Sequence, residues 1–332
     1  KMKENLKSNT QATGCVNMDV DTLASDLTNS RELVKCQETR KVSYTQVMPR
    51  ILDLLVELDI RATFFIIGLD ADLPESRAVM KRMVREGHEL ANHTMHHLKQ
   101  FAHLPKQKQK SEIVECQKRL EDISGKKVVG FRAPGYTINE TVLLNLSELE
   151  YKYDTSLNIS LVYILIKHFF KTFLLRGEDK SYLSIQSISS LLATTQPYFP
   201  DCQRLWKHCP RKRLLEIPIN VIPVLEYPFV SHVLLSFGYP LSRALYSFIQ
   251  SKYHFLNFEL HDYEFAKEED YEKIAEDSRN KGFYLSNHYS DIPYKKRRSY
   301  FVRLFKLFKA DYQLVTMEEM ADRIIDPSPN AP

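Results

Sequence analysis

Repeated strand–helix units in the first half of the chain constrain its fold more than any other feature. Five buried, strand-like runs lie between Gly14 and Leu157, in about 140 residues, and amphipathic helical segments separate them. The runs read GCVNMDVD, RATFFII, HELANHT, KVVGFRAP and YKYDTSL. Strands joined through helices pair in parallel, because a parallel connection needs a long crossover. The pattern therefore predicts an α/β protein with a parallel sheet or barrel, whose active site lies at the carboxyl ends of the strands.

Two helix starts in this region carry the signature of a capping box, a Ser or Thr followed three residues later by Glu or Gln. Ser43 and Gln46 precede one apolar stripe, and Thr137 and Glu140 precede another. We expect each hydroxyl side chain to cap the helix that follows it.

The strand–helix rhythm divides the chain into five parts. Residues 1–12 are predicted to be a disordered or tag-like N-terminus, and residues 13–157 the first part of the barrel. The rhythm stops in residues 158–213, which we interpret as an insertion or subdomain. Strand and helix signals return in residues 214–328, the predicted remainder of the barrel, and residues 329–332 form a tail.

Composition excludes two classes of protein and favours one compartment. The net charge of +4, with 27% charged residues, is too small a basic excess to indicate nucleic-acid binding. The five cysteines form no CxxC pair, which favours a reducing compartment over a disulfide-bonded secreted domain. The N-terminus shows no secretory apolar segment, and no uncharged apolar run reaches the ~18 residues that span a bilayer. We therefore expect a cytoplasmic protein.

Two aspartates close the first predicted strand. Asp19 and Asp21 are two residues apart, so strand alternation places both side chains on one face. Two ionised carboxylates on one face repel each other unless a positive group lies between them. The pattern predicts a metal ion bound by one aspartate, while the other acts as general base. The alternative is that the pair only solvates the strand end or caps a helix.

Two histidines follow the third predicted strand. His93 and His97 are four residues apart, and one helical turn would direct both imidazoles to a common point. Two neutral histidines and one carboxylate form a common set of ligands for a divalent metal, with positions left open for water and substrate. His96 lies between them and is expected to face outward. A surface pair of histidines is the alternative.

The segment FRAPGY closes the fourth predicted strand at the same end of the sheet. Arg132 could there pair with the aspartate that is not a ligand and orient it. The turn through Pro134 and Gly135 could present a backbone N–H to the reacting carbonyl. Taken alone, the segment is equally consistent with a Pro-Gly turn beside a surface arginine.

An Asp pair, then H-[ST]-x-x-H, then R-x-P-x-Y, in this order on successive strands, resembles the polysaccharide deacetylase superfamily (carbohydrate esterase family 4, the NodB-homology domain). The resemblance covers Cys15 to Leu157 well and the chain after Leu214 more loosely. It implies a distorted (β/α)7 barrel, here with an inserted segment, and metal-dependent hydrolysis of N-acyl groups from amino sugars.

The resemblance also implies a role for each motif residue. Asp19 is the base, Arg132 positions it, and Tyr136, in the turn begun by Pro134, contributes its backbone N–H to the oxyanion hole. The metal ligands are Asp21, His93 and His97. The ion is expected to be Zn²⁺, with Co²⁺, Ni²⁺, Fe²⁺ and Mn²⁺ as alternatives.

Two departures from the family pattern bear on the substrate. The usual first motif has adjacent aspartates, whereas Val20 separates them here. This D-x-D form resembles the branch that contains lipid-linked aminoarabinose deformylases and intracellular peptidoglycan-deacetylase-like proteins. The acyl group is therefore expected to be acetyl or formyl, and the amino sugar to belong to a polysaccharide or to be lipid-linked. The family's fourth motif normally has an Asp with a Trp. Here Asp154 alone represents it, because the chain's only tryptophan, Trp206, lies in the insertion.

Two histidines compete for the role of general acid. His261 ends an apolar strand in FELHD, which resembles the family's fifth motif, and His288 follows a shorter strand-like run. We favour His261, with His288 and a proton from bulk water as alternatives. Asp154, with Glu216 behind it, is the carboxylate expected to keep the imidazole charged.

Two segments combine large apolar and basic residues, namely residues 161–176 and 294–310. Each could lie on an anionic membrane surface, which would suit a lipid-linked substrate, or could be an ordinary amphipathic helix packed on the barrel. A non-catalytic sugar- or lipid-binding relative and a 2-His-1-carboxylate iron oxygenase remain as other functions. The sequence makes no prediction of the oligomeric state.

Overall fold

The structure is a computed structural model that describes residues 12–23, 37–98, 100–169, 188–209, 213–223, 227–270, 272 and 292–327. The predicted N-terminal tail and C-terminal tail lie almost wholly outside these residues, and so does His288.

Seven parallel strands form the main sheet, in the order β11-β1-β2-β3-β4-β5-β8. Their bounds are β1 Thr13–Val20, β2 Thr63–Ile66, β3 Glu89–Asn92, β4 Gly130–Phe131, β5 Tyr153–Asp154, β8 Leu215–Glu216 and β11 Phe255–His261. A further short strand, β12 (Gln313–Leu314), pairs in parallel with the start of β1. The sheet curls into a half-barrel with helices outside it, which confirms the predicted α/β barrel class.

The helices that cover the sheet follow the predicted alternation. They are α1 Gln37–Val42, α2 Met48–Glu57, α3 Pro74–Arg85, α4 Lys106–Ser124, α5 Glu140–Glu148, α6 Leu161–Phe169, α7 Ser231–Lys252, α8 Tyr294–Asp311 and α9 Met317–Ile325. Apart from α6, their apolar faces and the sheet share one continuous buried core. Tyr163 of α6 packs against a second, smaller cluster of Tyr136, Ile219, Val230 and Val233. Among the described helices, none combines the length and the apolar composition that a membrane-spanning segment requires.

The predicted capping boxes are wrong. Ser43 begins a π-helical turn between α1 and α2, and its Oγ accepts from the backbone N–H of Leu23 rather than capping a helix. The hydroxyl of Thr137 donates to the carbonyl of Pro134, and Asn139 is the residue that caps α5. In both places the hydroxyl that the local pattern predicts as a helix cap forms its hydrogen bond elsewhere, with another part of the chain or within the preceding turn.

The described part of residues 158–213 contains α6 and an antiparallel pair, β6 (Pro200–Asp201) with β7 (Arg204–His208). Trp206 lies on β7. A second antiparallel pair, β9 (Val221–Ile222) with β10 (Tyr227–Pro228), follows β8. These pairs lie outside the parallel sheet, so the sheet passes directly from β5 to β8.

The two segments that combine apolar and basic residues differ in the structure. In α8 the large apolar side chains, Tyr300, Phe301, Leu304, Phe305 and Phe308, are all buried. Even Arg297 is buried, and its guanidinium donates to the carbonyls of Glu264 and Ala266. α8 is therefore an amphipathic helix packed on the barrel, the second of the two alternatives given for residues 294–310. In α6, by contrast, Leu161, Leu165, Ile166 and Phe169 are exposed.

Candidate active site

Three candidate metal ligands converge at the carboxyl ends of β1 and β3. Asp21 follows β1, and its Oδ1 lies 3.3 Å from Nε2 of His93 and 3.3 Å from Nε2 of His97. The Nδ1 of His93 lies 2.8 Å from the carbonyl oxygen of Arg132, so a proton on Nδ1 leaves Nε2 free to bind a cation. Sequence spacing predicted this grouping of residues.

The turn that brings the two histidines together is not helical, which corrects the expected helical turn. Thr94 and His97 both have positive φ, 65° and 50°. Side chains hold this backbone: Asn92 Oδ1 accepts from Thr94 N at 2.8 Å, and Thr94 Oγ1 accepts from His97 N at 3.1 Å. His96 turns away from the cluster, with its Nδ1 2.9 Å from Glu112 Oε1.

The cluster fits a divalent cation. The ligand atoms of Asp21, His93 and His97 lie within 4.8 Å of one another. Asp21 Oδ1 is buried and has no hydrogen-bond partner among the described residues, a cost that a bound cation would remove. Burial alone would raise the pKa of Asp21, but the imidazoles of His97 and His93 outweigh it and hold that pKa well below its usual range. One charged carboxylate and two imidazoles together form a donor set that Zn²⁺ and similar ions prefer.

Asp19 lies beside this cluster and is held by Arg132. Arg132 Nη1 donates to Asp19 Oδ1 at 2.6 Å, while Asp19 Oδ2 lies 3.8 Å from His93 Nε2. Arg132 is fully buried and its guanidinium lies 4.2 Å from the centre of the Phe65 ring. Its pKa is raised, because Asp19 and Glu259 outweigh the effect of burial. The guanidinium therefore fixes one carboxylate oxygen and leaves the other facing the cluster.

The turn after β4 uses the donor that was expected in the oxyanion hole. The backbone N–H of Tyr136 donates to the carbonyl of Ala133 at 3.1 Å, within the turn that Pro134 begins. The N–H thus has a partner within the tight turn, and its expected role in the oxyanion hole stays a prediction. The hydroxyl of Tyr136 donates instead to Glu259 Oε1.

His261 is the last residue of β11 and pairs in register with Asp19 on β1. Its Nε2 lies 3.5 Å from Glu259 Oε1, and its Nδ1 lies 3.9 Å from Glu264 Oε1. Burial lowers the pKa of this imidazole, but Glu259, Asp21 and Glu264 outweigh burial and raise it. The structure thus places the candidate acid next to the candidate base, with its charged form favoured.

Asp154 does not lie in the place expected for the partner of His261. Its Oδ1 accepts from Ser156 Oγ at 2.6 Å, and it pairs in register with Glu216 on β8. Burial raises the pKa of both Asp154 and Glu216, as two neighbouring buried carboxyls would require. The carboxylates beside His261 are Glu259 and Glu264, and sequence analysis missed both.

A signal for Glu259 was present in the sequence. Glu259 precedes His261 by two residues on one strand, so alternation places both on the same face of β11. A charged residue inside an apolar strand is rare unless it is paired, which marks Glu259 as part of a polar site. Glu264 lies in the turn after β11 and had no such periodic signal.

Comparisons with known proteins agree with this geometry. A model of the polysaccharide deacetylase family matches residues 40–153. The chain is 35% identical over 104 residues to a peptidoglycan-N-acetylglucosamine deacetylase of Bacillus cereus, a match that covers 31% of this chain and 47% of that protein. It is 52% identical over 50 residues to a chitooligosaccharide deacetylase of Sinorhizobium fredii, covering 15% and 22% of the two chains. These matches span less than half the length of either relative.

Among solved structures, the chain resembles a Mycobacterium smegmatis protein assigned to the polysaccharide deacetylases. The TM-score is 0.60 at 16% sequence identity, and the alignment covers 95% of this chain and 91% of that one. At this identity the likeness shows the fold alone, which is that of the curled barrel described above.

Proposed function

Because the chain belongs to the polysaccharide deacetylase superfamily, we propose that it hydrolyses the N-acetyl group of an N-acetylglucosamine-containing carbohydrate. The observation that carries the proposal is the placement of Asp19. This carboxylate lies beside the cluster of Asp21, His93 and His97 without being needed to complete it. A site that only bound a sugar would have no use for a base held by a buried arginine.

The proposed metal site consists of Asp21, His93 and His97, and Zn²⁺ is the ion we propose. Zn²⁺ accepts two imidazoles and one carboxylate and keeps a fourth position open; Co²⁺, Ni²⁺, Fe²⁺ and Mn²⁺ are alternatives. When bound, such an ion supplies Lewis-acid polarisation of the acyl carbonyl and lowers the pKa of a neighbouring water.

The remaining groups are the chain's own residues. Asp19 accepts a proton from the attacking water as the water oxygen bonds to the acyl carbon. Arg132 holds Asp19 Oδ1, so the free Oδ2 is the oxygen directed to this proton. His261 gives a proton to the amide nitrogen as the C–N bond breaks, and the products are acetate and a free amino sugar. An unprotonated amide nitrogen is a poor leaving group, which is why the site needs an acid as well as a base.

Release of acetate from chitooligosaccharides and from peptidoglycan fragments tests the proposal. The purified protein should be assayed with stoichiometric Zn²⁺, and the free amines formed should equal the acetate released. Asp19→Asn is the matched control. Sugar binding without acetate release would instead support a non-catalytic relative, and oxygen consumption with Fe²⁺ would support an oxygenase.

A lipid-linked amino sugar is a second candidate substrate, carrying an acetyl or a formyl group. The observation that favours it is the exposed apolar face of α6, formed by Leu161, Leu165, Ile166 and Phe169. This helix reaches the site through Tyr163, whose ring lies 6.1 Å from that of Tyr136. A lipid surface under α6 would place a membrane-anchored sugar beside the cluster.

Flotation with anionic vesicles and formate release from an N-formyl lipid-linked sugar test this second candidate. Leu165→Glu should abolish flotation if α6 is the contact.

Since the described cysteines, Cys15, Cys116, Cys202 and Cys209, are all free, we also propose a cytoplasmic location, peripheral to the membrane if the substrate is lipid-linked. Fractionation of cells that express the full-length protein checks that location.

A further inference from the structure

Glu259 is a fully buried carboxylate near the middle of the candidate site. It lies on β11 two residues before His261, and its register partner on β1 is Asn17, two residues before Asp19. Parallel pairing therefore sets Glu259 and His261 side by side with Asn17 and Asp19. One acceptor or donor atom from each of Asp19, Glu259 and His261 lies within 4.8 Å of the others.

Both oxygens of this carboxylate face groups of the proposed reaction. Oε1 accepts from the hydroxyl of Tyr136 and lies 3.5 Å from His261 Nε2. Oε2 lies 3.7 Å from Arg132 Nη1, the same nitrogen that donates to Asp19 at 2.6 Å. One side chain thus contacts both the candidate acid and the arginine that orients the candidate base.

Charge balance explains why these groups must act together. The guanidinium of Arg132 faces two buried carboxylates, those of Asp19 and Glu259. A second positive charge is needed to offset the second carboxylate, because a buried charge without a partner is costly. The proton on His261 supplies it. Burial and Asp19 raise the pKa of Glu259 above its usual value, and Arg132 and His261 offset only part of that rise.

We propose that Glu259 is a positioning residue that holds His261 in its protonated form toward the leaving amine. The proposal rests on the proposed deacetylase function and deepens it, since it says what makes His261 an acid. On the other side of the ring, Glu264 Oε1 lies 3.9 Å from Nδ1 of His261. The titratable groups that face Glu259 or His261 are Asp19 on β1, Asp21 just after it, Arg132 and Tyr136 from the segment after β4, Tyr163 of α6, His232 of α7, and Glu264 in the turn after β11.

The dependence on the leaving group distinguishes this role from a structural one. An amine leaves only when it takes a proton from His261, whereas 4-nitrophenolate leaves an acetyl ester without one. Glu259→Gln removes the negative charge with little change of volume. We expect it to lower kcat/KM for N-acetyl chitooligosaccharides on the order of 10²-fold, and for 4-nitrophenyl acetate by less than about a tenth of that factor. KM for the oligosaccharide should change little.

The pH profile gives a second readout on the amide substrate alone. Without the negative charge of Glu259, the imidazolium of His261 loses stabilisation and its pKa falls. The alkaline limb of the kcat profile should therefore move to lower pH in Glu259→Gln. Zinc content should stay at one ion per chain, since Glu259 is not among the proposed ligands.

Glu89→Gln is the matched control. Glu89 is a partly buried carboxylate at the start of β3, at the opposite end of the sheet. Its substitution should leave the ratio of amide to ester activity and the alkaline limb unchanged. If thermal unfolding shows that the Glu259→Gln protein is not folded, Tyr136→Phe replaces it, because this change removes only one hydrogen bond to Glu259. It should move the ratio of amide to ester activity and the alkaline limb in the same directions, by smaller amounts.

Equal losses on the amide and the ester, with an unmoved alkaline limb, would overturn the inference. Loss of zinc from Glu259→Gln would overturn it too, because the residue would then act through the metal site. The ligand atoms of His232, His261 and Glu264 also lie within 4.8 Å of one another. A second divalent ion that binds the wild type and is lost in His232→Ala would therefore overturn the inference, since His261 would be a metal ligand rather than an acid. Absence of acetate release by the wild type would refute the proposed function itself.

Discussion

His93→Ala is expected to abolish stoichiometric zinc. The substitution removes one of three donors whose atoms lie within 4.8 Å of one another, and the remaining pair holds a divalent ion weakly. Metal per chain after dialysis, measured by atomic spectroscopy, checks this. His96→Ala is the control, because His96 lies in the same turn but contacts Glu112. A fully metallated His93→Ala protein would contradict the assignment of the site.

Asp19→Asn is expected to keep the zinc and to lose about 10²–10⁴-fold in rate, the usual size of a general-base contribution. The amide can still accept from Arg132 through its oxygen, so the local packing is preserved. Acetate release and zinc content should be measured on the same sample. If the zinc is lost and the residual rate follows the residual zinc, the roles of Asp19 and Asp21 must be exchanged.

At this scale the sequence predicted which residues meet but not how each is used. Strand alternation placed Asp19 and Asp21 on one face, and spacing grouped His93 with His97. The use of the Tyr136 N–H depends on whether a turn closes around Pro134, which residue types alone do not decide. The partner of His261 was misplaced on Asp154 because the neighbours of β11 are set by sheet order, and that order is a long-range property.

The order of strands and helices along the first half of the chain was predicted correctly, but the residues at which they begin and end were not. The run KVVGFRAP contributes only two residues of paired strand, Gly130–Phe131, because the curl of the sheet limits pairing to a few residues. Ser43 and Thr137 show why the helix starts were misplaced. Each hydroxyl finds a partner outside the helix, at Leu23 N and at the carbonyl of Pro134. Local capping signatures compete with contacts that only the folded chain provides.

Phe305→Ala in α8 is expected to destabilise the protein by about 3–5 kcal/mol, the usual cost of emptying a buried phenylalanine site. The ring is 1% exposed and packs against Phe258 and Phe301. Urea unfolding monitored by circular dichroism checks the change. Lys306→Ala, at the neighbouring exposed position, should change the free energy of unfolding by less than about 0.5 kcal/mol.

The same pair of variants separates the two interpretations of residues 294–310. If the apolar face of α8 served a membrane, Phe305→Ala would weaken vesicle binding and leave the unfolding transition in place. Loss of stability without any change in flotation agrees with the buried face seen in the structure.

At the scale of the whole molecule, the barrel is joined between β8 and β11 by side chains. These strands form the two ends of the seven-strand sheet, and Asn257 of β11 bridges them. Its Nδ2 lies 3.1 Å from the carbonyl of Ile217 and 3.2 Å from that of Pro218, just after β8. Its Oδ1 accepts from Asn17 of β1 at 2.8 Å. The sequence predicted the repeating units but not this closure, because about 40 residues separate the two strands and no local pattern reports which ends of a sheet meet.

The pH dependence of folding should carry a contribution from Glu89, at the amino ends of the strands. Burial raises the pKa of this carboxyl from 4.5 to about 7, although Glu318 N, Thr63 and Tyr153 all donate to it. The folded protein therefore binds a proton more tightly than the unfolded chain, and the stability from Glu89 is present below pH 4.5 and lost as the pH rises through 7. Because Glu89 is partly exposed, we expect a loss of about 1–3 kcal/mol between pH 5 and pH 8.

Glu89→Gln isolates this contribution from those of the other buried carboxyls. A neutral amide keeps an acceptor for Glu318 N and a donor for Tyr153 Oη, so it resembles the protonated acid at every pH. The free energy of unfolding of Glu89→Gln minus that of the wild type should therefore rise by about 1–3 kcal/mol from pH 5 to pH 8. Urea unfolding of both proteins at both pH values, at one zinc concentration, measures the difference. A difference that stays constant, or falls with pH, would show that Glu89 is ionised in the folded barrel across this range.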